Sequence, residues 1–386
     1  MVADGRSPIT RNWIKMLQPL GMEITLVSTF PCIEVEGAKG THILPVAFAG
    51  LGGSQAGSAG RKKSSGLVSR FRRLAADLRH QLGPWTISSY IPRYLEIIED
   101  VKPDLVHALR IPYEGMLASA TPKGIPLVLS TWGNDLTLHA PATRKLGAFT
   151  RRALWRADGL MSDVRRDVSL AAKWGFNPQK PTLVVPGNGG IDLDVMLTSA
   201  AGVMHVDPPV VLNPRGLRSY VRSDTFFKSI PLVLEKRPDV RFRCTSMAGQ
   251  PEAEKWVRAL GIEKQVSLLP LITQAELWRE FAAASLSVSV STHDGTPNTL
   301  LEAMSLGCLP VCGDMDSIRE WIEPGGNGLL VDPADPAGLA SAILLGLEDD
   351  ALRESAARVN LGLVRGRAEI SSVREKVSAF YKNLVH

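Results

Sequence analysis

The stretch HDGTPNTLLEAMSLGCLPV, residues 293–311, holds two carboxylates, Asp294 and Glu302, with seven residues between them. The residues before Pro297 are small or polar and those after it become apolar, which is typical of a loop that opens into a helix. Pro297 suits the first turn of that helix, because its φ angle is fixed and a first-turn N–H has no partner within the helix. We therefore expect the two carboxylates to flank the N-terminus of a helix.

The N-terminus of this helix is a candidate anion site. Backbone N–H groups in a first helical turn lack carbonyl partners, and the helix dipole there favours a phosphate. The residues that would present these groups are Asn298, Thr299 and Leu300. A carboxylate on each side can accept hydrogen bonds from hydroxyl groups, so the stretch fits a ligand built as hydroxyls, diphosphate and hydroxyls. A sugar nucleotide has this layout.

Outside this stretch, short apolar segments alternate with stretches of helical periodicity. Twelve segments are strand candidates: 22–29, 41–48, 104–109, 126–131, 159–162, 182–186, 209–213, 240–247, 265–271, 286–292, 309–314 and 328–332. Strands that alternate with helices predict parallel sheets in doubly wound α/β domains. Two such series indicate two Rossmann-like domains, and residues 197–209, which lack periodicity, are the predicted linker. The opening residues MVADG read as the end of a first strand whose beginning is absent.

The bulk composition is that of a globular protein of two or three domains. The chain has 386 residues, of which 45% are hydrophobic and 22% charged. No apolar run approaches the ~20 residues that span a bilayer, and the N-terminus shows no leader. The four cysteines have neither zinc nor redox spacing, so we expect reduced thiols. These features favour a cytoplasmic protein.

The motifs resemble those of family 4 glycosyltransferases, which are retaining enzymes of the GT-B fold. The resemblance is most specific at residues 293–311 and continues through GGNGLLVDP, residues 325–333. It returns more weakly at residues 102–108, 130–135 and 186–196. The resemblance spans nearly the whole chain, although the family usually has Glu where this chain has Asp294.

The resemblance implies an N-terminal acceptor-side domain at residues 1–200, a donor-binding domain at 201–368 and a C-terminal helix at 369–386 that crosses back to the first domain. It implies two Rossmann-like domains facing across a cleft. The expected reaction moves a sugar from a nucleotide sugar, UDP- or GDP-linked, to a glycan, glycolipid or other acceptor. The nucleotide sugar is a co-substrate, so no cofactor is expected.

The resemblance also assigns the donor side. The family places an Arg in the first loop of the C-terminal domain, followed about five residues later by a Lys, and both stabilise the leaving phosphate. Arg215 matches the Arg; no Lys follows at that spacing, and Arg218 or Arg222 is the expected replacement. Glu302 would hold the ribose hydroxyls and Asp294 the hydroxyls of the transferred sugar. Backbone groups near Leu269–Leu271 would read the base.

The acceptor side is expected at the ends of the N-terminal strands. Gly5 follows the first strand and is expected near the diphosphate. His107 ends a strand in our reading, and the remaining candidates are Arg110, Glu114, Trp132 and Asn134. A core position is the alternative for His107, and an N-cap is the alternative role for the neighbouring Asp135.

No metal site is expected. The pairs Asp192/Asp194 and Asp314/Asp316 each enclose one residue, as in metal-dependent transferases of another fold. The first pair lies in the family's turn near the linker, and the second follows a strand, where we expect it to cap the next helix. No Ser-His-Asp or Cys-His arrangement is identifiable, which fits a transfer without a protein nucleophile.

The positive charge is unevenly spread. Residues 61–82 contain a run of Arg and Lys, and Leu67, Phe71, Leu74, Leu78 and Leu82 fall on one helical face within it. The segment is either a core-packed helix beside a solvated loop or an interfacial helix on an anionic membrane. Nucleic acid is disfavoured, because aromatic residues are not interleaved with these charges.

Three alternatives to a glycosyltransferase stay open. The first is a sugar-nucleotide epimerase of the same fold, although no acid/base residues around the sugar stand out. The second is a sugar-nucleotide-binding protein with little activity, because Asp294, the missing Lys and a missing His depart from the family pattern. The third is a basic nucleic-acid-binding protein, which would bind DNA in a strongly salt-dependent way.

Overall fold

The computed structural model describes residues 1–46 and 85–385. The chain divides into two compact units, unit 1 (Met1–Gly190 with Val373–His386) and unit 2 (Ile191–Ser372). The domain limits at 200/201 and 368/369 stay predictions; the divisions between the units fall at 190/191 and 372/373. The predicted amphipathic and basic segment, residues 61–82, lies outside the described residues.

Unit 1 contains a parallel sheet of seven strands in the order β3-β2-β1-β4-β5-β6-β7. The strands are β1 (Val2–Ala3), β2 (Thr25–Ser28), β3 (Gly40–Ile43), β4 (Val106–Ala108), β5 (Leu127–Thr131), β6 (Gly159–Ser162) and β7 (Thr182–Val184). Its helices are α1 (Pro8–Leu17), α2 (85–101), α3 (Met116–Ala118), α4 (Arg144–Arg156) and α5 (Arg165–Lys173), and most of α14 (Ile370–Val385) belongs here. Short helical turns occupy Ile111–Gly115, Asp135–His139 and Ala140–Ala142.

Unit 2 contains a parallel sheet of six strands in the order β10-β9-β8-β11-β12-β13. The strands are β8 (Val210–Asn213), β9 (Arg241–Cys244), β10 (Val266–Leu268), β11 (Leu286–Ser289), β12 (Leu309–Gly313) and β13 (Leu329–Val331). The helices are α6 (Leu193–Ser199), α7 (Ser223–Leu234), α8 (Pro251–Ala259), α9 (Gln274–Ala283), α10 (Asn298–Ser305), α11 (Asp316–Arg319), α12 (Pro336–Glu348) and α13 (Asp350–Arg367).

The strands form where the sequence predicts them, because both faces of each sheet are covered by helices. Strands β4, β5, β6, β8 and β12 are buried at every residue, and continuous apolar runs are typical of parallel strands packed on both faces. All twelve predicted segments overlap a strand, and the predicted two-sheet α/β fold is confirmed. In the described part of the chain, none of the helices has the length and hydropathy needed to cross a bilayer.

Each sheet has a point at which the strand order reverses, and ligands of open α/β sheets bind beside the carboxyl ends of the strands at that point. In unit 1 the reversal lies between β1 and β4. The loop that follows β1, which begins at Asp4, therefore lies at this point. In unit 2 it lies between β8 and β11, so the loop that contains Arg215 and the loop that contains Asp294 follow neighbouring strands. The topology therefore selects these loops as the candidate site of unit 2.

Three local predictions are corrected. Pro297 is the N-cap of α10 rather than a first-turn residue, with an extended backbone of φ −65° and ψ 133°. Asp314 does not cap α11: it accepts two hydrogen bonds from Arg319 at 2.6 and 2.7 Å, and Met315 is the cap residue. Asp135 is the first residue of its helical turn, after Asn134, and is buried among loops instead of capping it.

Candidate functional site

In unit 2, Arg215 contacts both ends of the 294–299 loop. The Nη2 atom of Arg215 lies 2.6 Å from Oδ2 of Asp294, and Nη1 donates to Oγ1 of Thr299 over 3.2 Å. The loop that carries Arg215 is fixed at the end of β8, where the backbone N–H of Arg215 donates to Oδ1 of Asn213 over 3.2 Å. The structure thus brings together three predicted site residues from distant parts of the chain.

The Arg215–Asp294 ion pair is largely removed from solvent, with side chains 9% and 16% exposed. Burial raises the pKa of Asp294, and the positive charge of Arg215 opposes that shift. The Asp294 carbonyl accepts a hydrogen bond of 2.8 Å from Ser317, which fixes the loop on α11. The family resemblance implied that Arg215 binds the phosphate and Asp294 the transferred sugar. In the structure the two side chains form an ion pair, and Arg215 also donates to Thr299 in the first turn of α10.

The first turn of α10 presents fewer backbone donors than predicted. The N–H of Leu300 donates to the Pro297 carbonyl over 3.0 Å. This follows from the N-cap position of Pro297, because the carbonyl of an N-cap residue accepts the first bond of the helix. Leu300 therefore leaves the predicted anion site, and Asn298 and Thr299 remain as candidates.

Glu302 lies one turn into α10 and is 6% exposed. Its Oε1 atom accepts hydrogen bonds from Gln274 Nε2 and, over 3.3 Å, from Trp278 Nε1. Burial raises the pKa of Glu302 to about 7, and these two donors act in the opposite direction. Both hydrogen bonds fall on one oxygen, which leaves the second oxygen, Oε2, to accept from a ligand hydroxyl.

Gln274 and Trp278 are site residues that the sequence reasoning missed. They stand four residues apart on α9, so both project from one face of that helix. The spacing was readable in the sequence. What the sequence did not show is that this face meets α10 at Glu302, because no local pattern connects the two helices.

The other predicted donor-side residues, Arg218, Arg222 and Leu271, differ in their exposure and in their hydrogen-bond partners. Arg218 is exposed and donates through Nε to the Arg215 carbonyl over 3.1 Å. Arg222 forms a bidentate pair with Asp224 at 2.8 and 2.9 Å. Leu271 is 83% exposed, and the preceding carbonyls of Leu269 and Pro270 already accept backbone N–H groups. Of the two arginines, Arg218 is the one whose side chain lacks a carboxylate partner in the described residues.

In unit 1, a cavity of about 430 Å³ lies at the carboxyl ends of β1, β2, β4 and β5. Among the described residues, the lining consists of Ala3, Asp4, Arg6, Ser7, Thr10, Phe30, Leu109, Arg110, Pro112, Tyr113, Glu114, Trp132 and His139. Arg110, Glu114 and Trp132 were predicted from the sequence, and the structure brings them together. Asn134 does not line the cavity and contacts Arg110 instead.

Arg110 is held in place by two side chains. Its Nε donates to Asp135 over 2.9 Å and its Nη2 donates to Asn134 over 3.1 Å. Asp135 also accepts the backbone N–H groups of Ile111 and Trp132 at 3.3 and 3.2 Å. Asp135 therefore joins the two loops that follow β4 and β5, a role that its predicted N-cap position did not suggest.

Glu114 and Gly5 are also fixed by neighbours within unit 1. Glu114 is buried and accepts a hydrogen bond of 2.7 Å from Thr29. The Gly5 N–H donates to Ser28 over 3.0 Å, and a Cβ at this position would lie 2.5 Å from the Cys32 sulfur. A larger residue would require Cys32 to shift, so glycine suits this close approach of the loop after β1.

His107 is placed differently from its prediction. It lies in the middle of β4 instead of at its end, is buried, and does not line the cavity just described. Its Nδ1 atom is 2.7 Å from the Tyr381 hydroxyl and its Nε2 atom is 2.8 Å from that of Ser130. Burial lowers the pKa of His107 to about 3. A buried neutral histidine with both nitrogens engaged belongs to the core, so we leave it out of the proposed site.

Comparisons with known proteins agree with this architecture. Residues 4–187 match the glycosyl transferase 4-like domain, and residues 209–349 match the glycosyl transferases group 1 model. A D-inositol 3-phosphate glycosyltransferase from Geodermatophilus obscurus is 25% identical over 250 residues, which are 60% of this chain and 54% of that protein. The chain thus spans about half the length of the curated relatives it matches.

Two solved structures show the same fold over nearly the whole chain. HepE from Anabaena, crystallised with UDP and glucose, has a TM-score of 0.70 at 16% identity and is covered to 99%, as is this chain. Sucrose-phosphate synthase from Thermosynechococcus elongatus has a TM-score of 0.73 at 15% identity, with 99% of this chain and 98% of that one covered. The two family models together match most of the chain, and the fold agrees over nearly its whole length. The chain therefore belongs to the glycosyl transferases group 1 family and has the GT-B fold.

Proposed function

We propose that this protein is a retaining glycosyltransferase that uses a nucleotide-sugar donor bound by unit 2. The observation that carries the proposal is the joint placement of Arg215, Thr299 and Glu302 around the N-terminal half of α10. A diphosphate bound at the start of α10 would lie against Arg215 and the N–H groups of Asn298 and Thr299. The ribose hydroxyls would then donate to Glu302, one helical turn away.

The chemistry proposed for this arrangement is electrostatic. The bond between the anomeric carbon and the β-phosphate oxygen breaks, and the acceptor oxygen bonds to that carbon on the same face. The acceptor proton passes to the departing phosphate oxygen, so no protein nucleophile or base is required. Positively charged and N–H donors that already face the phosphate stabilise its growing charge, which is usually the largest contribution to such catalysis. Arg215 is the first positive charge that would stabilise the phosphate here, and Arg218 is the second.

A UDP-sugar is the donor we favour, and a GDP-sugar is the alternative. Support for UDP comes from HepE, which was crystallised with UDP and with UDP-glucose. The acceptor is proposed to be a glycan, a glycolipid or another hydroxyl-bearing molecule. Its hydroxyl group would be bound by unit 1 at the cavity lined by Arg110, Glu114 and Trp132.

The proposal is tested by thermal unfolding with UDP-, GDP-, ADP- and TDP-sugars, followed by an assay for release of the nucleoside diphosphate. A ligand at 100 times its dissociation constant stabilises the folded protein by about 2.7 kcal/mol. We expect one nucleotide series to raise the unfolding temperature and Glu302→Ala to abolish that rise. Glu263→Ala, an exposed carboxylate of unit 2, is the matched control and should keep it. Stabilisation by none of the four series would contradict the donor site.

A further inference from the structure

Helix α4 of unit 1 presents one face that is basic and aromatic, with no acidic residue anywhere on the helix. We define the α4 face by the residues that share this side of the helix: Arg144, Lys145, Ala148, Arg151, Arg152 and Trp155. At 100° per residue they fall within roughly one third of the circumference. All are exposed except the half-buried Lys145, and Trp155 is 68% exposed.

The opposite side of α4 packs into unit 1, whereas the α4 face makes few contacts there, among them that of Arg151, which lies over the ring of Trp174 at 4.8 Å. Leu146, Ala153 and Leu154 pack into the core of unit 1. Arg156 is the one basic residue of α4 that is buried: it pairs with Asp158 at 2.6 Å and donates to carbonyl groups of the 121–125 loop. Among the described residues, no carboxylate pairs with the four basic side chains of the α4 face.

Two further residues extend this surface. Trp85, at the start of the described part of α2, is 67% exposed, and the Lys145 ammonium group lies over its ring. Lys123 lies 5.9 Å from the ring centre of Trp155. The surface therefore holds two exposed tryptophans, each beside a lysine. Most large aromatic side chains of a soluble protein are at least half-buried, so two on one basic surface indicate a binding role.

We propose that the α4 face, with Trp85 and Lys123, docks this protein onto the surface of a membrane containing anionic phospholipid. Basic side chains on one face of a helix are attracted to anionic headgroups, and tryptophan prefers the boundary between headgroups and acyl chains. The surface is the convex outer side of a single helix, about 20 Å long, which suits a flat partner. Helix α4 begins five residues after His139, which lines the unit 1 cavity, so a docked protein would hold this cavity close to membrane-borne molecules.

The test is co-sedimentation of the full chain with vesicles of phosphatidylcholine containing phosphatidylglycerol, over a series of salt concentrations. The double variant Arg151→Gln/Arg152→Gln should bind roughly 30-fold more weakly, because each basic residue near an anionic surface contributes about five-fold. It should also depend less steeply on salt. Trp155→Ala should weaken binding at every salt concentration without changing that dependence, since it removes no charge.

The matched control is Lys255→Gln/Arg258→Gln, which removes the same charge from exposed positions of α8 in unit 2. It should bind vesicles as the unaltered protein does, and all variants should keep the same unfolding temperature. Binding to pure phosphatidylcholine that equals binding to the mixed vesicles would overturn the proposal. So would a loss confined to an Arg70/Arg72/Arg73 variant, or binding to duplex DNA in place of vesicles. Vesicle binding requires no nucleotide sugar, so its outcome is independent of the proposed transferase activity.

Discussion

At the scale of single residues, Arg215 and Asp294 neutralise each other in a setting where neither charge is well solvated. Removing one member of a buried pair leaves the other without a counter-ion, which is more costly than removing both. A bound diphosphate would bring a second negative group to Arg215, and Asp294 would then compete with the ligand. Removing the charge of Arg215 and removing the charge of Asp294 should therefore change nucleotide affinity in opposite directions.

Arg215→Ala should reduce transfer by ~10²-fold or more, because it removes the cation proposed to stabilise the leaving phosphate. Asp294→Asn should bind UDP at least as tightly as the unaltered protein, since the competing charge is gone, while kcat falls. Titration calorimetry with UDP and steady-state kinetics separate the two effects. If Asp294→Asn weakened UDP binding as strongly as Arg215→Ala, the competition described here would be wrong.

The pattern of the loop and helix around Pro297 identified Asp294, Thr299 and Glu302 as site candidates, and the family resemblance added Arg215. The sequence did not predict that Arg215 and Asp294 bond to each other. They are 79 residues apart, and their contact depends on β8 and β11 being neighbours in the sheet. It also assigned one N–H group too many, at Leu300, because the N–H of Leu300 donates to the Pro297 carbonyl. The cap residue of α10 was placed one position too early.

At the scale of elements, α9 and α10 together determine the protonation of Glu302. Burial raises the pKa of this carboxyl to about 7, while N–H donors from Gln274 and Trp278 on α9 favour its charged form. An acid whose folded pKa exceeds its unfolded value, 4.5 here, binds more protons in the folded state between the two. Its contribution to stability is therefore present below pH 4.5 and is lost as the pH rises through about 7.

Nucleotide affinity should follow the ionised fraction of Glu302, because in the proposed donor site the ribose hydroxyls would donate to the carboxylate. Affinity for a UDP-sugar should fall below about pH 7, approaching ten-fold per pH unit. Gln274→Leu and Trp278→Phe each remove one donor and should move the midpoint of this fall to higher pH. Calorimetric titration across pH 5.5–8.5, a window of about 1.5 units on either side of the midpoint, measures it. Gln179→Leu, at an exposed position of unit 1, should leave the midpoint in place.

The prediction from sequence was strongest for elements of this size. Helical periodicity indicated helices between the strands, including α10, and alternation with these stretches identified the strands. The role of Gln274 could not be predicted in this way, because a neutral polar residue at the start of a helix is ordinary. Its significance comes only from packing of α9 against α10.

At the scale of the whole molecule, the chain returns at its C-terminus to the unit in which it began. Helix α14 belongs mostly to unit 1, although the residues just before it belong to unit 2. Arg374 donates to the Met16 carbonyl over 2.7 Å, and Tyr381 contacts His107, 274 residues earlier. The family resemblance implied a final helix, but no pattern in the sequence pointed to His107 as its contact.

The His107–Tyr381 contact should therefore contribute to the stability of unit 1 without affecting the donor site. Tyr381→Phe leaves a buried ring nitrogen without a partner, which costs ~1–3 kcal/mol. Gly159→Ala should cost a similar amount, because a Cβ there would lie 2.9 Å from Phe380 and Leu384 of α14. Urea unfolding followed by circular dichroism should show a lower midpoint for both variants.

The partly exposed Tyr220 of unit 2 provides the control, and Tyr220→Phe should leave the urea midpoint unchanged. Stabilisation by the nucleotide sugar should persist in Tyr381→Phe, since the proposed donor residues lie in unit 2.

The dependence of stability on acid provides a second measurement. Because folded His107 resists protonation until about pH 3, whereas an unfolded histidine ionises near pH 6.5, stability should fall as the pH drops between these values. A His107→Gln variant should lose part of that pH dependence; an unchanged profile would mean that His107 is not the buried neutral group described here.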